Sequence, residues 1–142
     1  MQLITLLLIS TLGIPVVQAQ TEGLDKLSNP LVKTAVKAMQ DNDRDTWMKV
    51  FSAKAVISDD GKERDFIQWS DSEIFGRLRA YIVLGKSRGY FKRIDKEENK
   101  GTSVYGYFHT DRWGEFNTYM HFKIENNQII RLDVGQIKQR GG

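Results

Sequence analysis

Residues Phe51 to Gly76 read FSAKAVISDDGKERDFIQWSDSEIFG, and this stretch decides the fold class. It begins at the end of an amphipathic helix. A short strand, Ala55 to Ser58, follows between turn residues. Asp59-Asp60-Gly61 turns the chain, with Gly61 free to take a positive φ. Asp65 is placed to cap a third helix, with Gln68 three residues on as in a capping box. Phe66, Trp69 and Ile74 give that helix an apolar side, and Gly76 ends it. Helix exit, strand, turn and helix in this order predict an α+β domain. Its sheet is expected to curve and to be closed over by helices, with a cavity between the layers.

Upstream, Asn29-Pro30 marks a helix start, because Asn caps and Pro suits the first turn. Val32, Ala35, Val36 and Met39 recur at helical spacing. Asp41-Asn42-Asp43 stops that helix and caps a second, whose stripe is Trp47, Val50 and Phe51. Downstream the period changes to two. Leu78 to Leu84, Tyr90 to Lys96, Thr102 to Thr110, Phe116 to Ile124 and Ile130 to Val134 read as strands. Val104, Gly106 and Phe108 share one strand face, and Tyr105, Tyr107 and His109 share the other. Glu125-Asn126-Asn127 is a hairpin turn.

The chain has 142 residues, 40% hydrophobic and 27% charged, enough for one core. The net charge of +3 decides no partner. Met1 to Ala19 carries no charged side chain, is apolar from Leu3 to Ile14, breaks at Pro15 and ends in Val17-Gln18-Ala19. That is the layout of a cleaved secretory leader, too short in its apolar run for a membrane span. The expected organisation is leader 1–19, linker 20–28, domain 29–136 and disordered tail 137–142. The expected location is periplasmic or secreted, with membrane attachment only if the leader stays uncleaved. The chain has no cysteine, which excludes disulfides, thiol nucleophiles and Cys-type zinc sites.

The order of elements resembles the nuclear transport factor 2-like superfamily, and within it the bacterial SnoaL-like (polyketide cyclase-like) branch. The residues that carry the resemblance are Phe51, AVISDDG at Ala55 to Gly61, FIQWSDSEIFG at Phe66 to Gly76, and FKIENNQIIRLDVGQ at Phe122 to Gln136. The chain departs from the pattern at Lys62-Glu63-Arg64, where many such domains carry a glycine. The resemblance implies a cone-shaped α+β fold, a curved antiparallel sheet covered by three N-terminal helices and enclosing a pocket, with frequent dimerisation through the outer sheet face. It spans isomerases, dehydratases and cyclases as well as pure binding domains, so fold alone does not choose a function.

The candidate catalytic residues are Asp60, His109 and His121. A carboxylate at the rim of an apolar cavity is a general base or acid in waiting. Two Asp residues before a Gly also make a plain turn, and that is the stronger reading of Asp59 and Asp60. His109 and His121, the only histidines, share strand faces with tyrosines. Such a cluster can orient a carbonyl or shuttle a proton. It also suits an outer sheet face or a dimer interface, which is the favoured reading. Trp47, Trp69, Tyr105, Tyr107, Trp113, Tyr119 and Asp133 are the candidate cavity residues. Trp69 is the strongest wall candidate, Trp113 sits in a turn, and Asp133 alternates with core residues of the last strand. No metal is expected, because the histidines lack HExxH-like spacing. No cofactor is expected, because phosphate-loop and dinucleotide fingerprints are missing. Nucleic acid is not an expected partner: the basic run from Arg77 to Arg93 leads straight into Asp95, Glu97 and Glu98. The leading expectation is a small-ligand-binding or interaction domain, with a homodimer as its assembly. A cofactor-free lyase or isomerase using Asp60 as base, and a dimeric scaffold with a filled cavity, are the alternatives.

Overall fold

The computed structural model describes residues 21–67, 89–110 and 113–138. Helix α1 spans Pro30–Asp41. Asn29 caps it: its side-chain oxygen accepts from the amides of Leu31 at 3.0 Å and Val32 at 3.1 Å. Pro30 fills the first turn, where no amide hydrogen is needed. Helix α2 spans Arg44–Val50. The Asp43 carboxylate accepts from the Thr46 amide at 3.1 Å and its hydroxyl at 2.6 Å. These bonds hold the Asp43 carboxyl below the usual carboxylate range. The apolar stripe of α1 (Val32, Ala35, Val36, Met39) and Trp47 of α2 are buried.

Strand β1, Phe51–Asp59, follows α2 at once. Phe51 therefore opens a strand and does not close the helix. Asp60 and Gly61 take φ of +48° and +86°. Two consecutive left-handed residues make the tight turn that matches strand twist, so the chain folds back as β2, Lys62–Asp65. The Lys62-Glu63-Arg64 segment, where the chain departs from the family pattern, lies in this strand, at one end of the described sheet. Its ladder with β1 runs through the backbone, so charged side chains do not prevent it. Helical backbone begins at Phe66 and Ile67. The remainder of the expected third helix, with Trp69 and Ile74, and the expected strand Leu78 to Leu84 lie outside the described residues.

Four further strands form a meander: β3 Tyr90–Glu98, β4 Ser103–Thr110, β5 Gly114–Glu125 and β6 Gln128–Gln136. The sheet order is β2-β1-β6-β5-β4-β3. Neighbours are antiparallel except β1 and β6, which are parallel. The expectation of a wholly antiparallel sheet is corrected on this point. Three reversals in the meander bring β6 alongside β1 in the same direction. There Leu132 and Val134 come into register with Ile57 and Asp59. Register shifts in β3, in β5 against β6 and in β1 bend and twist the strands.

One face of the sheet meets the helices. Ala55 and Ile57 of β1, Val104 and Phe108 of β4, Met120 and Phe122 of β5, and Leu132 of β6 join the helix stripe in one buried cluster. Phe51 stands between Trp47 (4.4 Å) and Phe66 (4.7 Å, stacked).

Part of the segment read as a linker is bound to the domain. Glu22 bridges Arg93 in parallel, and its carbonyl accepts from the Ile94 amide at 2.7 Å. Leu27 is buried. Gln40, buried on α1, accepts from the Phe91 amide and donates to the Phe91 carbonyl, both at 2.9 Å, and also donates to Thr21 Oγ1 at 2.7 Å. Residues 21–28 are thus held against β3, at Glu22 through the backbone and at Ser28 through the Glu97 carboxylate. No described helix is long and apolar enough to cross a membrane.

Candidate functional site

Strand alternation puts every second side chain of β4, β5 and β6 on the face turned away from the helices. Tyr105, Tyr107, His109, Tyr119, His121 and Asp133 all lie there, each half-buried. Register then fixes their neighbours. His121 is opposite Ser103 on β4 and opposite Asp133 on β6. Asp133 is in turn opposite Ser58 on β1. In the next row, Tyr119 is opposite Tyr105 and Gly135.

The His121 ring is held on several sides. Its Nδ1 lies 2.8 Å from Ser103 Oγ, which also accepts from Asn99 Nδ2 at 2.8 Å. Tyr119 stacks on it with centroids 4.8 Å apart, and Tyr105 meets it edge-on at 5.8 Å. Burial, and then the Glu98 carboxylate, push the Tyr105 phenol above its usual range.

Tyr119 reaches over Gly135. A Cβ on Gly135 would stand 2.4 Å from the Tyr119 hydroxyl and 2.7 Å from Asp60 Oδ1. The backbone of Asp60 is pinned by its amide bond to the Val134 carbonyl at 2.9 Å, and its Oδ1 accepts from the Gln136 amide at 3.2 Å. The Asp60 carboxylate and Tyr119 hydroxyl therefore converge on one glycine. Burial raises the Tyr119 phenol first, and the negative charges of Asp60, Asp133 and Asp59 raise it further. It is a neutral hydrogen-bond donor at ordinary pH. Arg131 donates to both oxygens of Asp133 at 3.1 Å and pairs with Glu63 at 2.9 Å.

His109 lies on the same face but elsewhere. Its row carries Tyr90 and Glu115. Six residues separate Glu115 from His121 along β5, or about 20 Å at about 3.3 Å per residue. His109 Nδ1 contacts Glu115 at 2.8 Å, and Lys92 pairs with Glu115 at 3.1 Å. Both hold the Glu115 carboxyl below its usual range. The three catalytic candidates thus divide: Asp60 and His121 lie in neighbouring rows, and His109 is remote.

The cavity candidates divide as well. Trp47 is fully buried on the helix side. Tyr105, Tyr107, Tyr119 and Asp133 are on the opposite face. Trp113, at the β4–β5 turn, is 62% exposed, and its amide donates to Thr110 Oγ1 at 3.0 Å. Trp69 lies outside the described residues. Among the described residues no three metal-ligating side chains gather in one place.

Sequence reasoning missed Ser103, Asn99, Gly135, Arg93 and Lys96. Arg93 stacks on Tyr107 at 4.8 Å and Lys96 on Tyr105 at 4.9 Å. Ser103 was within reach, since it precedes Tyr105 by two and so shares its face. The other contacts depend on cross-strand register or loop conformation.

No family model and no curated protein matches the sequence. Solved structures do match in fold. One is a candidate polyketide cyclase of Sinorhizobium meliloti, at 18% identity and TM-score 0.54, over 75% of this chain and 94% of that one. Another is a protein of unknown function with a cystatin-like fold from Xanthomonas campestris, at 14% identity and TM-score 0.58, over 84% and 93%. A third is a candidate ketosteroid isomerase of Kribbella flavida, at 4% identity and TM-score 0.58, over 79% and 78%. Among the described residues a six-stranded mixed sheet carries N-terminal helices on one face, and this arrangement, shared also with an NTF2-like protein of Cytophaga hutchinsonii at 14% identity and TM-score 0.50 over 82% of this chain and 91% of that one, is the nuclear transport factor 2-like fold.

Proposed function

We propose that this chain is an exported interaction domain that pairs with a second copy of itself through the tyrosine- and histidine-bearing face of its sheet. The observation that carries this is the pattern of half-buried rings on that face: Tyr90, Tyr105, Tyr107, His109, Tyr119 and His121. Aromatic side chains are enriched at interfaces because they join a large apolar area to a polar tip. The face is also large enough. Five strands about 4.8 Å apart and about 26 Å long project roughly 600 Å² before side-chain relief is counted, close to the ~800 Å² per partner of a standard interface. Export rests on the uncharged, apolar Met1 to Ala19. The test is sedimentation equilibrium of the protein purified from its exporting host, with intact mass to read the N-terminus. The expected result is a dimer of chains that begin at Gln20. A monomer at tens of micromolar refutes the pairing, and a chain beginning at Met1 refutes the processing.

A second reading places a small, largely apolar ligand between helices and sheet. It is favoured by the apolar helix-facing residues Val104, Phe108, Met120 and Leu132, and by the fold shared with a candidate cyclase and a candidate isomerase. Native mass spectrometry of the same preparation separates the readings. A retained adduct supports the ligand; a bare dimer supports the interaction domain.

A further inference from the structure

We infer that docking of the N-terminal strap, residues 21–28, and removal of the leader exclude one another. The Ala19–Gln20 bond is open to a leader peptidase only while the strap is off the sheet, and a chain whose strap docks first keeps its leader. The inference rests on the export proposed above and adds to it the order of events.

Gln20 alone separates that bond from Thr21, about 3.5 Å of extended chain. Thr21 and Glu22 are both committed to the fold. Thr21 Oγ1 accepts from Gln40 Nε2 at 2.7 Å, and the Thr21 carbonyl accepts from the Leu24 amide at 3.1 Å. The second bond closes a turn over residues 21–24, with Gly23 at φ +88° in its third position. The Glu22 carbonyl accepts from the Ile94 amide at 2.7 Å, and Glu22 bridges Arg93. A peptidase takes its substrate as an extended strand and needs the backbone on both sides of the bond it cuts. A turned backbone whose carbonyls are bonded to Leu24 and Ile94 does not enter such a cleft. Strap docking and the peptidase therefore compete for the same two residues.

Several contacts fasten the strap. Gly23 lies so close to β3 that a Cβ there would stand 2.2 Å from the Ile94 carbonyl oxygen. Leu27 is buried, and Leu24 packs against the core. At the far end, the Glu97 carboxylate accepts from the Ser28 amide at 3.0 Å and from its hydroxyl at 2.6 Å. Gln40, which holds Thr21, is itself fixed by its two bonds to Phe91. The place where Thr21 docks therefore exists only once α1 has packed against β3. A chain cut before its domain folds presents the Ala19–Gln20 bond freely. A chain that folds with the leader attached shields that bond, and the apolar Leu3 to Ile14 stays on as a membrane attachment.

The test uses the full-length precursor, folded in detergent, with the leader peptidase of the exporting host and intact mass as the readout. One precursor carries Glu22→Cys with Arg93→Cys. These bridge partners stand at ladder spacing, about 4.8 Å, within reach of a disulfide, and the chain has no other cysteine. The oxidised precursor is expected to resist cleavage, and the same precursor after reduction to be cut to a chain beginning at Gln20. Gly23→Ala drives the strap from Ile94 and is expected to be cut at least about tenfold faster than the wild type, because cleavage follows the population of the open strap. Circular dichroism confirms that each precursor is folded. Where Gly23→Ala unfolds, Ser28→Ala takes its place; it loses only the hydroxyl bond to Glu97, and a smaller acceleration is expected. Equal rates for the oxidised and reduced precursor, or thiols that do not join in the folded precursor, overturn the shielding and leave export standing. Reduced and Gly23→Ala precursors that both keep Met1 overturn the export reading itself.

Discussion

Replacing Gly135 by alanine tests the geometry of the Tyr119–Asp60 corner. The added methyl would sit 2.4 Å from the Tyr119 hydroxyl oxygen, 2.7 Å from its Cζ and 2.7 Å from Asp60 Oδ1. All three distances are far inside contact, so Tyr119 must swing away. Its ring is stacked on His121 at 4.8 Å, and a swing breaks that contact. Asp60 must shift too, which strains its bond to the Gln136 amide. Overpacking of this kind costs about 1–3 kcal/mol. With a urea m-value of about 2 kcal/mol/M, a loss of about 2 kcal/mol lowers the unfolding midpoint by about 1 M. The assay is urea unfolding of Gly135→Ala, of Tyr119→Leu and of the double variant. Most of the glycine penalty should vanish in the Tyr119→Leu background, because the atom that clashes hardest is gone. A Gly135→Ala midpoint equal to the wild type refutes the reasoning. So does a penalty of the same size with and without the tyrosine.

Two further outcomes follow from the helix side and the docked segment. Gln40→Leu keeps the volume but strands the buried amide and carbonyl of Phe91, and should cost about 3 kcal/mol in urea unfolding; a loss under 0.5 kcal/mol would show that the clamp is not needed. The Glu97 carboxyl is held below its usual value by bonds from the Ser28 hydroxyl and amide. A depressed folded pKa gives stability that is complete above the unfolded value and is lost as pH falls through the folded value. The wild type should therefore exceed Glu97→Gln in stability at neutral pH and converge with it in acid. A gap that persists at low pH would assign the effect to something other than this carboxylate.

The local structure was largely legible in the sequence. Asn29-Pro30 announced the cap and start of α1, and the Val32 to Met39 stripe faced the core as its spacing predicts. Alternation in β4 and β5 separated the Val104 face from the Tyr105 face, since side-chain direction in a strand depends only on position along the chain. One local signal was there and was under-read. Asp60-Gly61 is among the strongest two-residue hairpin signals, yet the charged Lys62 to Asp65 after it obscured β2. Side-chain character says little about an edge strand whose ladder is made by the backbone.

Which strands become neighbours is a different kind of fact. The parallel pairing of β1 with β6 joins segments about 75 residues apart, and no local preference encodes it. The same pairing sets Ser58 beside Asp133, in the row of His121, and hangs Asp60 over Gly135. The β4–β5 register sets His109 about 20 Å from His121 although both share one face. Sequence periodicity by itself determined which residues share a face. Only the tertiary structure decided which face the helices cover and which residues on the other face touch. Those outcomes depend on register and on long-range contacts, and both are settled when the chain closes on itself.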